Sequence, residues 1–175
     1  EDPAVQTANT PVSITGEAKL PTRDTAPAES TAAAEQPTAG KLKTCMPVQG
    51  EVLSPYAMEV LSYNQTTRDW RTHNGIDLAA PAGTDVLAAA DGEVYTVYED
   101  DRMGTTVVIR HEGGYTTRYC SLDAEVAVSA GQEVAMGQTI GTVGTTALME
   151  NALGDHVHFS VTKDDEPVDP TAVLQ

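Results

Sequence analysis

The chain has 175 residues, with 10 Lys or Arg against 26 Asp or Glu and a formal net charge of −16. That length supports one ordinary domain with its own core, and so acidic a surface opposes binding to nucleic acid and to anionic lipid. No apolar run is long enough to span a bilayer and no signal peptide is present. With Glu rather than Met at position 1, the chain reads as processed or truncated, and an N-terminal membrane anchor or export signal is expected in the missing start.

Residues 1–43 are rich in Ala, Thr, Pro and Glu and hold few large apolar side chains. Such a segment cannot bury enough surface to offset its ordering entropy. It reads as a flexible spacer that holds a domain away from a membrane or wall, or as an inert disordered tail; local docking is open only near Val12-Ser-Ile14. The folded domain is expected over residues 44–175. Val86–Ala90 runs into Asp91-Gly92 and then Glu93–Tyr98, and Asp-Gly between apolar runs predicts a hairpin. Thr105–His111 and Tyr115–Tyr119 flank Glu112-Gly-Gly114, which predicts a second. Glu133-Val134, Thr139–Val143 and His156–Thr162 read as further strands. No window combines helical periodicity with caps, although Thr145–Leu153 has room for a turn or two. The fold class is therefore all-β, with short antiparallel strands in a sandwich or barrel-like arrangement.

Two cysteines, Cys45 and Cys120, do not make the paired pattern of a zinc finger. One disulfide and two unpaired thiols both remain open. Pro81-Ala-Gly-Thr-Asp-Val and Ser129-Ala-Gly-Gln-Glu-Val echo one another, as turns do in biotinyl and lipoyl carrier domains. No lysine lies between Lys43 and Lys163 to be modified, so the echo reads as two similar turns.

The chemistry concentrates in two runs. His156 and His158 are two apart among Val and Phe, so on a strand both imidazoles face one way. His73 and Asp77 are four apart with Gly75 between them, which argues against a helix and for a short strand entered from a loop. Three imidazoles and a carboxylate suit a zinc (Zn2+) site with three protein ligands and an open position for water; any one histidine alone is more often a packed or surface residue. His111 reads as an exposed residue at a strand end. Trp70, the sole tryptophan, reads as packing beside the metal strand rather than as a substrate platform.

His73-x-x-x-Asp77 followed by His156-x-His158, with the glycine-punctuated stretches 81–94 and 130–141 between them, resembles the LytM/lysostaphin-type zinc peptidases, which cut peptide cross-links of bacterial cell walls. The likeness runs from Met46 to Ala172. It implies a duplicated-hybrid-motif-like sandwich, zinc held by His73, Asp77 and His158, and His156 as a catalytic histidine that handles protons or the oxyanion. The family places a second such histidine in a Tyr-x-His-Leu pattern. This chain has Tyr119-Cys-Ser-Leu122, with Ser121 at that position. Serine cannot serve as a base near neutral pH, and losing one positioned acid–base group costs about two to four orders of magnitude in rate. Asp155 and Ser160 also depart from the family's Gly-Pro-His-x-His-Phe-Glu, and Thr145–Leu153 replaces its short glycine-rich approach. That insert reads as a partner surface, a lid or an inert loop. The run Tyr63–Asp77, together with Ser121, resembles the stage II sporulation protein Q branch. There a membrane-anchored LytM-type domain pairs with a membrane-protein partner across an intermembrane space. The resemblance thus implies an extracytoplasmic, zinc-binding interaction module with a degenerate site. The alternative is an active zinc metalloendopeptidase acting on peptidoglycan peptides.

Overall fold

A computed structural model describes residues 42–175. The expected spacer, Val12-Ser-Ile14 included, lies outside the described residues except for its last two positions.

The largest sheet is built around β11 (His156–Lys163), whose first six residues are all buried. One edge of β11 pairs antiparallel with β4 (Ile76–Ala79) and, further along, with β12 (Glu166–Val168). Its other edge pairs with β8 (Tyr115–Leu122). The sheet continues through β7 (Gly104–Arg110), β6 (Gly92–Asp100) and β9 (Glu133–Val134), and β1 (Val52–Ser54) closes the side beyond β4. A two-stranded ribbon, β2 (Ala57–Asn64) with β3 (Asp69–His73), and a short pair, β5 (Asp85–Leu87) with β10 (Thr139–Thr142), complete the strands. This is the all-β antiparallel architecture expected.

Alternation on β11 sets the core. Val157, Phe159 and Val161 enter the apolar interior with Ile76, Leu78, Ile109, Tyr119 and Leu122, while His156, His158 and Ser160 take the other face, as period two requires. Phe159 packs against Tyr119 with ring centroids 5.2 Å apart. The Tyr119 hydroxyl accepts a hydrogen bond from the Ala89 amide at 2.8 Å, so the ring spans the core and still satisfies its polar end.

The hairpin at Glu112-Gly-Gly114 forms as expected, with β7 and β8 in antiparallel register and both glycines at positive φ. The hairpin expected at Asp91-Gly92 does not. β5 pairs with β10 and β6 with β7 and β9, so Asp91-Gly92 is a corner between sheets. Gly92 is needed for close approach rather than for a left-handed turn: a Cβ there would lie 2.3 Å from the Arg110 carbonyl oxygen. The Asp91 carbonyl accepts from His111 Nδ1 at 2.7 Å and its carboxylate accepts from the Met136 amide at 2.7 Å. Long-range bonds thus outweigh the local turn preference.

Thr145–Leu153 does carry a short 3-10 segment, Leu148–Leu153. The helix α1 (Pro170–Val173) was not expected. Asp169 caps it by accepting from the Thr171 amide, with Pro170 at its first position, a start signal too brief to stand out. Cys45 and Cys120 are free thiols.

Candidate metal centre

His73 ends β3 and Asp77 lies within β4, so the expected single short strand is two strands joined at Asn74-Gly75. Gly75 is required there. A Cβ at this position would sit 2.5 Å from the Phe159 carbonyl oxygen and 2.9 Å from His158 Nε2. The corner therefore lets the β3–β4 link lie directly on the His158 ring. Cross-strand register does the rest, because Asp77 and His158 are direct partners on β4 and β11.

The three predicted ligands converge. His158 Nδ1 lies 2.8 Å from Asp77 Oδ1, His73 Nε2 lies 3.3 Å from the same oxygen, and His73 Nε2 and His158 Nδ1 are 3.2 Å apart. His73 Nδ1 donates to the Pro55 carbonyl at 2.8 Å. That bond places the neutral ring's free lone pair on Nε2, toward the cluster, as a carbonyl behind a metal-binding imidazole does. Burial opposes ionisation of Asp77, but hydrogen bonds from His158 and His73 outweigh it and hold its carboxyl below the usual carboxylate range. Burial likewise opposes charging His73, and the Asp77 carboxylate with the Pro55 carbonyl overcomes it, so its pKa lies above the ordinary histidine value.

His156 lies one step along the same face and is buried. Its Nδ1 donates to the Gly154 carbonyl at 2.7 Å, and its Nε2 lies 3.2 Å from Glu150 Oε2. Burial disfavours its charged form, but the hydrogen bonds to Glu150 and Gly154 prevail and raise its pKa. Ser121 is buried beside Cys120, the cross-strand partner of His158. Its φ of 64° interrupts the β8 ladder, where its amide donates to the Met103 carbonyl at 2.9 Å. Cys120 is buried enough that desolvation pushes its thiol up to about 11.

Glu150 is the residue that sequence reasoning missed. It is buried, and one oxygen lies 3.5 Å from His158 Nδ1. Ligand atoms of His73, Asp77, Glu150 and His158 all fall within 4.8 Å of one another. The only sequence signal was an acidic residue in an aperiodic run ahead of His156-x-His158. The donor set, two imidazoles and carboxylate oxygen, fits zinc. Bound there, zinc would polarise a carbonyl oxygen and lower the pKa of a coordinated water. His73, Asp77 and His158 would hold it, and His156 lies next along the same strand face with its Nε2 on Glu150.

The cluster opens into a cleft of about 410 Å³ lined in part by Tyr63, Arg71, Arg102, Arg118, Met103 and Met149. Two expectations about single residues fail. Trp70 is exposed on the β2–β3 ribbon, touching Tyr63 at a centroid distance of 5.5 Å, because β3 is an edge ribbon rather than a core strand. His111 is buried, not exposed. Its Nε2 lies 2.7 Å from the Thr117 hydroxyl, and burial depresses its pKa.

Residues 71–170 match the family model described as peptidase family M23, a span that contains every residue of the cluster. The chain belongs to peptidase family M23. Among M23 relatives, the DD-carboxypeptidase/endopeptidase Mpg of Neisseria meningitidis serogroup B is 39% identical over 104 residues, 59% of this chain and 23% of that protein. Stage II sporulation protein Q of Bacillus subtilis is 36% identical over 113 residues, 63% of this chain and 38% of that protein. The chain thus spans about a quarter to two-fifths of the length of these curated relatives. A chain in the structure of the SpoIIQ–SpoIIIAH pore-forming complex superposes with a TM-score of 0.66 at 29% identity, covering 78% of this chain and 93% of that one. A zinc-containing peptidase from Vibrio cholerae superposes with a TM-score of 0.57 at 30% identity, covering 73% of this chain and 39% of that one.

Proposed function

We propose that this M23 domain is a zinc-binding interaction module whose hydrolytic site is degenerate. Zinc is held by His73, Asp77 and His158, and the domain, residues 44–175 behind a spacer of residues 1–43, works outside the cytoplasm, anchored through a preceding membrane segment, against a membrane-protein partner. The carrying observation is Ser121. Where the resemblance puts a second catalytic histidine, the chain has a buried serine in a bulge, and no other imidazole is free to replace it: His111 is engaged by Asp91 and Thr117. A hydroxyl can donate a hydrogen bond but cannot carry the imidazolium's charge. Likeness to a chain of the SpoIIQ–SpoIIIAH complex supports a protein partner.

The second reading, an active endopeptidase on peptidoglycan peptides, draws on the curated relatives named endopeptidases and on an intact His156. Purified protein with zinc content measured, incubated with cell walls, separates the two. About one zinc per chain in the wild type, none in His73→Ala, and no wall clearing is the expected result. Clearing by the wild type at a rate that Ser121→His does not raise would refute the degenerate reading. Absence of any extracytoplasmic partner in a native pull-down would count against the interaction role.

A further inference from the structure

A carboxylate outside the three expected ligands sits among their donor atoms, and three observations bear on its purpose. The first is metric. A tetrahedral zinc with bonds of about 2.0–2.1 Å separates its ligand atoms by roughly 3.3 Å. The separations in the structure are 3.2 Å for His73 Nε2 to His158 Nδ1, 3.3 Å for His73 Nε2 to Asp77 Oδ1, 2.8 Å for His158 Nδ1 to Asp77 Oδ1, and 3.5 Å for His158 Nδ1 to Glu150 Oε1. Glu150 thus meets His158 at a tetrahedron's edge length, while its distance to the His73 donor is longer, no more than 4.8 Å, so the carboxylate would swing inward when the metal binds.

The second is mechanical. The 3-10 segment that carries Glu150 is pinned on both sides of it. The Met149 amide donates to the Arg102 carbonyl at 3.0 Å, and the Ala152 amide donates to Thr66 Oγ1 at 3.0 Å. These tie it to the β6–β7 turn and to the β2–β3 turn, which places it across the cleft as a fixed strut. The third is division of labour within the carboxylate. Oε1 faces His158 while Oε2 faces His156 Nε2 at 3.2 Å, so one group addresses one expected metal ligand and its neighbouring histidine at once.

We propose that Glu150 is a fourth protein ligand that closes the metal site and engages His156. The inference rests on the zinc-site reading above. Two carboxylates balance the two charges of the metal, which weakens its pull on a bound water or carbonyl. A site with four protein ligands leaves no position for either, the pattern of structural rather than catalytic zinc. The competing arrangement, with Glu150 merely an ion-pair partner of His156, leaves the fourth position open.

Cobalt(II) in place of zinc distinguishes them by visible absorption, with azide as the probe of an exchangeable position. The wild type is expected to bind about one cobalt, with a spectrum that azide does not change. Glu150→Ala is expected to lose at least about 10- to 100-fold in metal affinity, the scale of loss when a metal's supporting groups are removed, and to gain an azide response. Glu150→Gln keeps the side chain's volume and should behave likewise. An azide-responsive wild type, which needs no variant, overturns the proposal, as does wild-type affinity in Glu150→Ala. Wild type that takes up neither cobalt nor zinc sinks the zinc-site reading itself, a different outcome from either of these.

Discussion

At Gly75 one missing side chain supports the site's geometry. The space a Cβ would fill is occupied by the Phe159 carbonyl oxygen and the His158 ring, and backbone cannot yield as a flexible side chain can. Gly75→Ala should therefore cost about 1–3 kcal/mol, the usual range for overpacking, read as a lower urea midpoint with an unchanged m-value. It should also weaken metal binding, because the strain falls on His158. A variant with wild-type midpoint and affinity would show that the β3–β4 corner relaxes freely. His111 teaches the reverse lesson about reading single residues. Its neighbours in sequence make it look like a strand end, and its burial comes from Asp91 and Thr117, which only the tertiary fold supplies.

Element by element, β11 carries both the core and the chemistry, and this was legible because period two sorts His156 and His158 from Val157 and Phe159 without knowledge of any partner. Phe159 is fully buried against Tyr119. Phe159→Ala should cost about 3–5 kcal/mol, a large share of a domain's roughly 5–15 kcal/mol, measured by urea denaturation of the metal-free protein. A loss below about 1 kcal/mol would mean that the site collapses around the cavity. Strand pairing was harder to read than strand existence. Asp91-Gly92 has the composition of a tight turn, yet β5 finds β10 some fifty residues on, and nothing local records that. Glu150 was unreadable for a similar reason. It reaches the cluster from a segment with no periodicity, held by the Arg102 carbonyl and the Thr66 hydroxyl, each set by a different hairpin.

For the whole molecule, metal, proton and fold are linked. A ligand that binds only the folded state at 100 times its Kd adds about 2.7 kcal/mol, so a chelator should lower the Tm. The pH dependence of that loss has a definite sign. His73 and His156 have folded pKa values above the ordinary 6.5. In the metal-free protein their contribution is therefore fully present below 6.5 and is lost as pH rises through the folded values. His111, depressed by burial, does the opposite: its contribution is present above 6.5 and lost as pH falls through its folded value. Asp77, also depressed, loses its contribution only at more acidic pH, below the ordinary 3.8. Zinc must displace the proton held on the His73 side of the cluster, so the metal's own contribution grows over the range in which that proton's contribution fades. Thermal melts of zinc-loaded and chelated protein should accordingly show a Tm gap that widens between about pH 6 and pH 8. His111 titrates in both forms and cancels from the gap, and His73→Ala should abolish the gap at every pH. A gap that is constant or narrows with rising pH would show that no proton on His73 competes with the metal in that range, and a gap that survives His73→Ala would remove His73 from the ligand set.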